Sequence, residues 1–173
     1  MKILIAYYTK TGTTAKCAAL LREQFYNHNM TVADLATQTV DLTAYDAVIL
    51  GAPVRMGHID QRLRNFLKTH APLLADKITA YFVCCGDPSQ AQETFTRDIP
   101  ADLLASAVAA APFGGELSVE AQHGAWNKLL VRLMRRSIKN KQLDDDISDE
   151  DKPRFPEIMP DRISRFADEI KRI

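Results

Sequence analysis

Neither sign of charge is in excess: 22 Lys and Arg residues balance 22 Asp and Glu. A nucleic-acid binder carries a basic surplus to meet phosphates, and a redox shuttle that docks on basic partners carries an acidic one. Neither class fits, and no nucleic-acid partner is expected. Cysteine is scarce. Cys17, Cys84 and Cys85 are too few and too badly spaced for a disulfide framework or a metal site, so no metal is expected. Cys84 and Cys85 fall in an expected strand, where neighbouring side chains point to opposite faces. They read as small buried apolar residues in a reducing cytoplasm. No apolar run is long enough for a membrane span, which needs about 20 residues, or for a secretory leader. What remains is an ordinary globular composition, 46% hydrophobic and 25% charged, able to bury a core. Its length is expected to form one domain over residues 1–173.

Ile3–Tyr8 is a continuous apolar run, the pattern of a strand buried on both faces. Thr14, Ala18, Leu21 and Phe25 then recur at helical spacing and predict a helix to about Asn27. Thr31–Leu35 reads as a second strand and Ala47–Leu50 as a third that stops at Gly51. Leu63, Phe66, Leu67 and His70 mark a helix ended by Pro72, and "ITAYFVCCG" a fourth strand closed by Gly86. Pro100 fits the first turn of a helix through Ala110. Phe113–Val119 reads as a fifth strand with a glycine kink, and Ile163, Phe166, Ala167 and Ile170 as one face of a closing helix. Strands alternating with helices predict an α/β fold with a parallel sheet covered on both faces. Ligands bind such sheets beyond the carboxyl ends of the strands, which singles out the loops after Tyr8, Leu50 and Cys84.

The first of these loops, "TKTGTT", places four threonines in six residues directly behind a strand and ahead of a helix. A helix start presents unpaired N–H groups and the positive end of a dipole, a ready anion site. Thr9, Thr11, Thr13 and Thr14 add hydroxyl donors, and Gly12 lets the backbone come close or take positive φ. The three terminal oxygens of a phosphate monoester match that crowd of donors. A Walker loop and a dinucleotide fingerprint are excluded by the missing Gly-Lys-Ser/Thr and the missing glycines. A cysteine-phosphatase loop lacks its nucleophile and arginine, and a receiver domain its clustered acids. The plain alternative is a capped helix start, for which one threonine suffices.

The motif behind "ILIAYY" closely resembles the flavodoxin signature, Thr/Ser-x-Thr-Gly-x-Thr after the first strand. The resemblance covers about residues 1–119 and the last helix. It implies a flavodoxin-like three-layer sandwich, a five-stranded parallel sheet in the order 2-1-3-4-5 with helices on both faces. It also implies non-covalently bound FMN. Thr9, Lys10 (by its backbone), Thr11, Gly12, Thr13 and Thr14 would then hold the phosphate. "GAPVRMGH" would run along the isoalloxazine ring, with Pro53, Val54, Arg55, Met56 and Gly57 as contacts, and Cys85, Gly86 and Asp87 would line the ring from the third loop. Gly57 permits a flip of the preceding peptide, though it also serves as a simple turn residue. Electron-carrier flavodoxins stack aromatics on the ring from these loops. Arg55, Met56, His58 and Cys85–Pro88 stand here instead, leaving room for a second planar molecule.

Gly51, Ala52, Arg55, Gly57 and His58 further resemble the flavodoxin-type, menaquinone-linked protoporphyrinogen oxidases. That resemblance implies an FMN-dependent oxidoreductase passing hydrogen from a reduced organic substrate to a quinone. Arg55 would meet a propionate or the flavin edge and His58 would relay a proton; a surface salt bridge and a helix-start polar residue are the plain alternatives. A flavodoxin electron carrier, donating single electrons to a redox partner, is the other functional reading. An insertion at about 120–159 carries "AWNKLLVRLMRRSIKNK". Trp126, Leu129, Leu130, Leu133, Met134 and Ile138 are expected on one helical face. Lys128, Arg132, Arg135, Arg136 and Lys139 are expected on the opposite face. Such a helix docks on a membrane surface or packs on its own domain, and the six acids of Asp144–Asp151 are able to neutralise it. The expected location is cytoplasmic, with peripheral contact at the inner face of the membrane through 126–139.

Overall fold

The computed structural model describes residues 1–116, 129, 132, 133, 136, 139 and 157–173. Its strands are β1 (Lys2–Tyr7), β2 (Asn29–Asp34), β3 (Ala47–Arg55), β4 (His58–Ile59), β5 (Ile78–Cys84) and β6 (Ala109–Pro112). Five of them run parallel in the order β2-β1-β3-β5-β6. This is the expected 2-1-3-4-5 sheet with one addition, β4, which folds back antiparallel on β3.

The sheet is buried on both faces because the central strands are apolar on both. Leu4, Val48, Leu50, Tyr81 and Val83 pack beneath α2 (Gln61–Ala75), α3 (Ala91–Asp98) and α4 (Ala101–Ala105), with Leu63, Leu67, Leu74 and Phe95. Ile3, Ile5, Ile49 and Phe82 face the other way, against α1 (Thr13–Glu23) and α5 (Pro160–Lys171). α5 buries Ile163, Phe166, Ala167 and Ile170 as its periodicity predicts. Phe113 links it to the sheet, stacked on Phe82 at 4.7 Å and edge-on to Phe166 at 5.1 Å. Each such buried side chain contributes roughly 1.5–3 kcal/mol.

Several expectations are corrected. β3 passes through Gly51 and stays paired with β5 as far as Pro53↔Cys84. Gly51 is there to admit the Phe82 ring, since a Cβ would lie 2.0 Å from Phe82 Cζ. α2 passes through Pro72 to Ala75, because the carbonyl that loses its partner belongs to exposed Lys68 and the fully buried Leu74 holds the last turn. The first helix ends at Glu23 rather than near Asn27. The helix after Pro100 ends at Ala105, and the fifth parallel strand is Ala109–Pro112, not Phe113–Val119. Alanine is the best helix former, yet pairing with β5 prevails, from Ala80↔Ala109 to Val83↔Pro112. Residues 117–119 lie outside the described residues.

Of the expected amphipathic helix, Leu129, Arg132, Leu133, Arg136 and Lys139 are described, all helical and exposed. Spacings of three and four put them on one side, so these leucines do not face away from these cations as expected. Trp126 and the acidic run Asp144–Asp151 lie outside the described residues.

Candidate functional site

The loops after β1, β3 and β5 emerge at the carboxyl edge of the sheet. In the first, Thr9 Oγ1 accepts the Gly12 N–H at 3.1 Å and closes a tight turn. Gly12 is left-handed (φ 87) and stands at the N-cap of α1, which no side chain among the described residues caps. The opening N–H groups of the helix therefore keep their donor capacity. Thr14, 1% exposed, carries a hydroxyl that among the described residues has no nitrogen or oxygen partner and touches only the buried Cys84 thiol. Below the loop, the neighbouring Cys17 thiol and then burial raise the Cys84 thiol well above the ordinary cysteine pKa, so Cys84 acts as apolar filling.

The second loop is a two-residue hairpin: Arg55 faces His58 across Met56 and Gly57, both with positive φ (50 and 77). Those angles define the turn whose twist suits a tight hairpin, and they leave Met56 fully exposed. α3 clamps the return arm. Thr94 Oγ1 donates to the Gly57 carbonyl at 3.3 Å, and Arg97 donates to the same oxygen. Asp98 is buried at the end of α3. Its carboxylate accepts the Ile59 N–H at 2.7 Å, lies 3.1 Å from His58 Nδ1, and takes a third contact from Arg97 Nε at 3.3 Å. Burial pushes the Asp98 pKa up, but the bonds from His58, Ile59 and Arg97 outweigh it and hold the carboxyl below its ordinary value.

In the third loop the Asp87 carboxylate accepts from Ser89 N, Ser89 Oγ and Gln90 Nε2. Asp87 therefore caps the turn Pro88–Gln90. The bonds from Ser89 hold its pKa down. Burial, reinforced by Asp87, pushes the Cys85 thiol up to about 11, so it stays protonated near neutrality. Its N–H donates to the Gly114 carbonyl at 2.8 Å.

Six of the site residues expected from sequence, Val54, Met56, Gly57, Cys85, Gly86 and Asp87, line one cavity of about 180 Å³ with Gln90, Ala91 and Thr94. Three others, Lys10, Arg55 and His58, line a second, more open cavity of about 380 Å³ with residues 59–62 and Arg64. Pro53 lines neither; its carbonyl accepts the Asp60 N–H. Thr9, Thr11, Gly12, Thr13 and Thr14 form the first loop and line neither.

In the second cavity the Asp60 carboxylate accepts Arg62 Nε at 2.9 Å and Nη2 at 3.0 Å, which lowers its pKa. Arg62 also lies over the Tyr8 ring at 4.9 Å and donates to the Thr9 carbonyl at 3.3 Å. No ion pair among the described residues uses Lys10 or Arg55. The sequence reading missed Arg62, Thr94, Arg97 and Asp98. Asp60 two residues before Arg62 is a helix-cap signal, whereas nothing local marks the other three.

A family model described as flavodoxin domain matches residues 4–145. The protoporphyrinogen IX dehydrogenase (quinone) of Escherichia coli strain K12 is 30% identical over 86 residues, 47% of this chain and 47% of that protein. The match thus spans about half the length of this curated relative. Among solved structures, Fusobacterium nucleatum flavodoxin bound to flavin mononucleotide superposes with a TM-score of 0.54 at 13% identity, over 99% of this chain and 97% of that one. A Lactobacillus acidophilus flavoprotein in complex with FMN gives 0.50 at 15% identity, over 64% and 92%. These likenesses are of fold.

Proposed function

The chain belongs to the flavodoxin domain family, and from that premise we propose that it binds FMN non-covalently and passes hydrogen from a porphyrinogen, or a similar reduced organic substrate, to a quinone. The observation that carries the cofactor assignment is the first loop. An uncapped helix start, a left-handed Gly12 and a Thr14 hydroxyl with no nitrogen or oxygen partner make a cradle that the described residues leave unsatisfied. Thr9, Lys10, Thr11, Gly12, Thr13 and Thr14 hold the phosphate; Pro53–Gly57 and Cys85–Asp87 hold the ring. Bound FMN supplies the two-electron redox chemistry.

The enzyme reading is supported by the cavity lining and by the Escherichia coli dehydrogenase. Val54, Met56, Gly57, Cys85, Gly86, Asp87, Gln90, Ala91 and Thr94 include no aromatic, which leaves space for a second planar molecule. Arg55 and Lys10 meet a substrate carboxylate. His58 takes the proton that must leave the substrate as its electron pair departs.

FMN-loaded protein should oxidise protoporphyrinogen with a menaquinone analogue, and flavin-free protein should not. Arg55→Ala should lower kcat/KM by roughly 10- to 100-fold, the value of a charge-assisted hydrogen bond. If loaded protein gives no turnover, the electron-carrier reading replaces this one.

No helix among the described residues is long and apolar enough to cross a membrane. Leu129 and Leu133, 45% and 53% exposed beside exposed Arg132, Arg136 and Lys139, suit peripheral contact with an anionic lipid surface, where the quinone resides. The protein should float with anionic vesicles at low salt and be released by high salt; failure to float at low salt removes the membrane contact.

A further inference from the structure

We propose that Asp98 is a positioning residue that fixes the tautomer and orientation of His58, directing Nε2 to the substrate. The inference rests on the proposed role of His58 as proton relay. The His58 side chain is 49% exposed, yet its Nδ1 is tied to a carboxylate that is only 3% exposed. A ring that served only as surface would need no buried anchor. Asp98 already satisfies a structural need with its other oxygen, through the Ile59 N–H, so the His58 contact is additional.

The chemistry follows from the hydrogen-bond inventory. A carboxylate at low pKa only accepts, so neutral His58 must carry its proton on Nδ1. Nε2 then keeps a lone pair, and it is the nitrogen left to the open cavity and the solvent. Nε2 would accept the proton that leaves the substrate as its electron pair departs, forming an N–H bond; FMN, when bound, would be the acceptor of that pair. The imidazolium so formed lies against the Asp98 carboxylate and returns the proton to solvent from its exposed edge. Asp98 stays ionised throughout.

The surroundings explain why an anchor is needed. The groups converging on His58 are mostly cations: Lys10 from the first loop, Arg55 directly across the hairpin, and Arg62 and Arg64 from α2. Asp60 is occupied by Arg62. Arg97 contacts Asp98 at 3.3 Å and Arg64 lies 4.0 Å from it, which fixes the carboxylate; among the described residues it is the anion paired with the ring. In a cationic pocket a free imidazole meets every new positive charge unfavourably. Asp98 supplies the compensating charge at the nitrogen away from the chemistry.

The test reads the tautomer first. Long-range 1H–15N correlation spectra of the FMN-loaded protein, taken at a pH where the rings are neutral, resolve four histidines, with His58 assigned by its absence in His58→Gln. Wild type should show Nδ1–H and a bare Nε2. In Asp98→Asn the amide oxygen must serve the Ile59 N–H and the NH₂ group then faces Nδ1, so the tautomer should invert. Turnover of protoporphyrinogen should fall about 100-fold in kcat with KM within about twofold, and the double variant with His58→Gln should be no worse than His58→Gln alone. An Nε2–H or freely exchanging tautomer in wild type overturns the proposal, even if Asp98→Asn fails to fold. So does an Asp98→Asn protein that keeps full turnover while His58→Gln loses it. If the tautomer inverts and His58→Gln still turns over normally, the positioning stands and the relay role of His58 falls.

Discussion

Thr14→Val should weaken FMN binding by roughly 10- to 100-fold while leaving the flavin-free protein as stable as the parent, or about 1 kcal/mol more stable. The two effects differ because the hydroxyl serves mainly the bound state. Thr14 is 1% exposed, and among the described residues its Oγ1 has no nitrogen or oxygen partner, only the weak contact with the buried Cys84 thiol, so the chain carries most of the desolvation cost of a buried polar atom with little return. Valine keeps the β-branch and the helical rotamer preference and replaces the orphaned oxygen with a methyl. Against a phosphate dianion the lost contact is a charge-assisted bond, worth about 1.5–3 kcal/mol, which converts to the stated change in Kd. Fluorescence titration with FMN and urea denaturation of the flavin-free form measure the two quantities. An affinity within about twofold of the parent means the hydroxyl does not meet the phosphate. A flavin-free form destabilised by more than about 1 kcal/mol means it has a partner within the chain.

The parts of the fold legible in the sequence are those fixed by local physics. Ile3–Ala6 is apolar without interruption and all four are fully buried; Ile163, Phe166, Ala167 and Ile170 repeat at helical spacing and form the inner face of α5. Failures occur where a neighbour decides. Gly51 reads as a stop, yet it is an interior strand position emptied for a ring 31 residues further along. Ala109 and Ala110 read as the end of a helix, and β5 claims them for an edge strand. The hairpin was hidden because tight turns of this type normally show Asn or Gly at both central positions, whereas Met56 takes φ 50 here.

The same division runs through the candidate site. The first loop, the residues Arg55–His58 (though not the hairpin they form) and Cys85–Asp87 stand in the sequence as short contiguous motifs near strand ends. What joins them was not. Arg62 reaches the Thr9 carbonyl 53 residues away, and Asp98 meets His58 across 40. In sequence Asp98 is a charge at the end of a short helix, a position where a solvated carboxylate is ordinary. Only the return of β4 beneath α3 makes it a buried anchor.

That dependence on remote backbone gives Gly114→Ala the largest expected loss of stability. Gly114 is left-handed (φ 79), and a Cβ there would lie 1.9 Å from the Glu157 carbonyl oxygen and 3.0 Å from its carbon. These are main-chain atoms of the segment that leads into α5, and they cannot rotate aside. The Gly115 N–H donates to that same Glu157 carbonyl, the Met159 N–H donates to Phe113 O, and Gly114 bridges Ile158. Moving the segment therefore breaks the seam that seats α5, with Phe166 against Phe113. The left-handed backbone alone costs a non-glycine residue about 1–2 kcal/mol, and the displaced seam should bring the total to roughly 3–5 kcal/mol. Gly12→Ala separates the two contributions, because Gly12 is also left-handed (φ 87), with nothing among the described residues within 4 Å of the added carbon. Urea denaturation of both flavin-free variants should show the Gly114 change costing at least about 2 kcal/mol more; equal losses mean that 157–159 yields to the methyl. The same substitution displaces the acceptor of the Cys85 N–H. FMN affinity should therefore fall with stability, although residue 114 lines neither cavity.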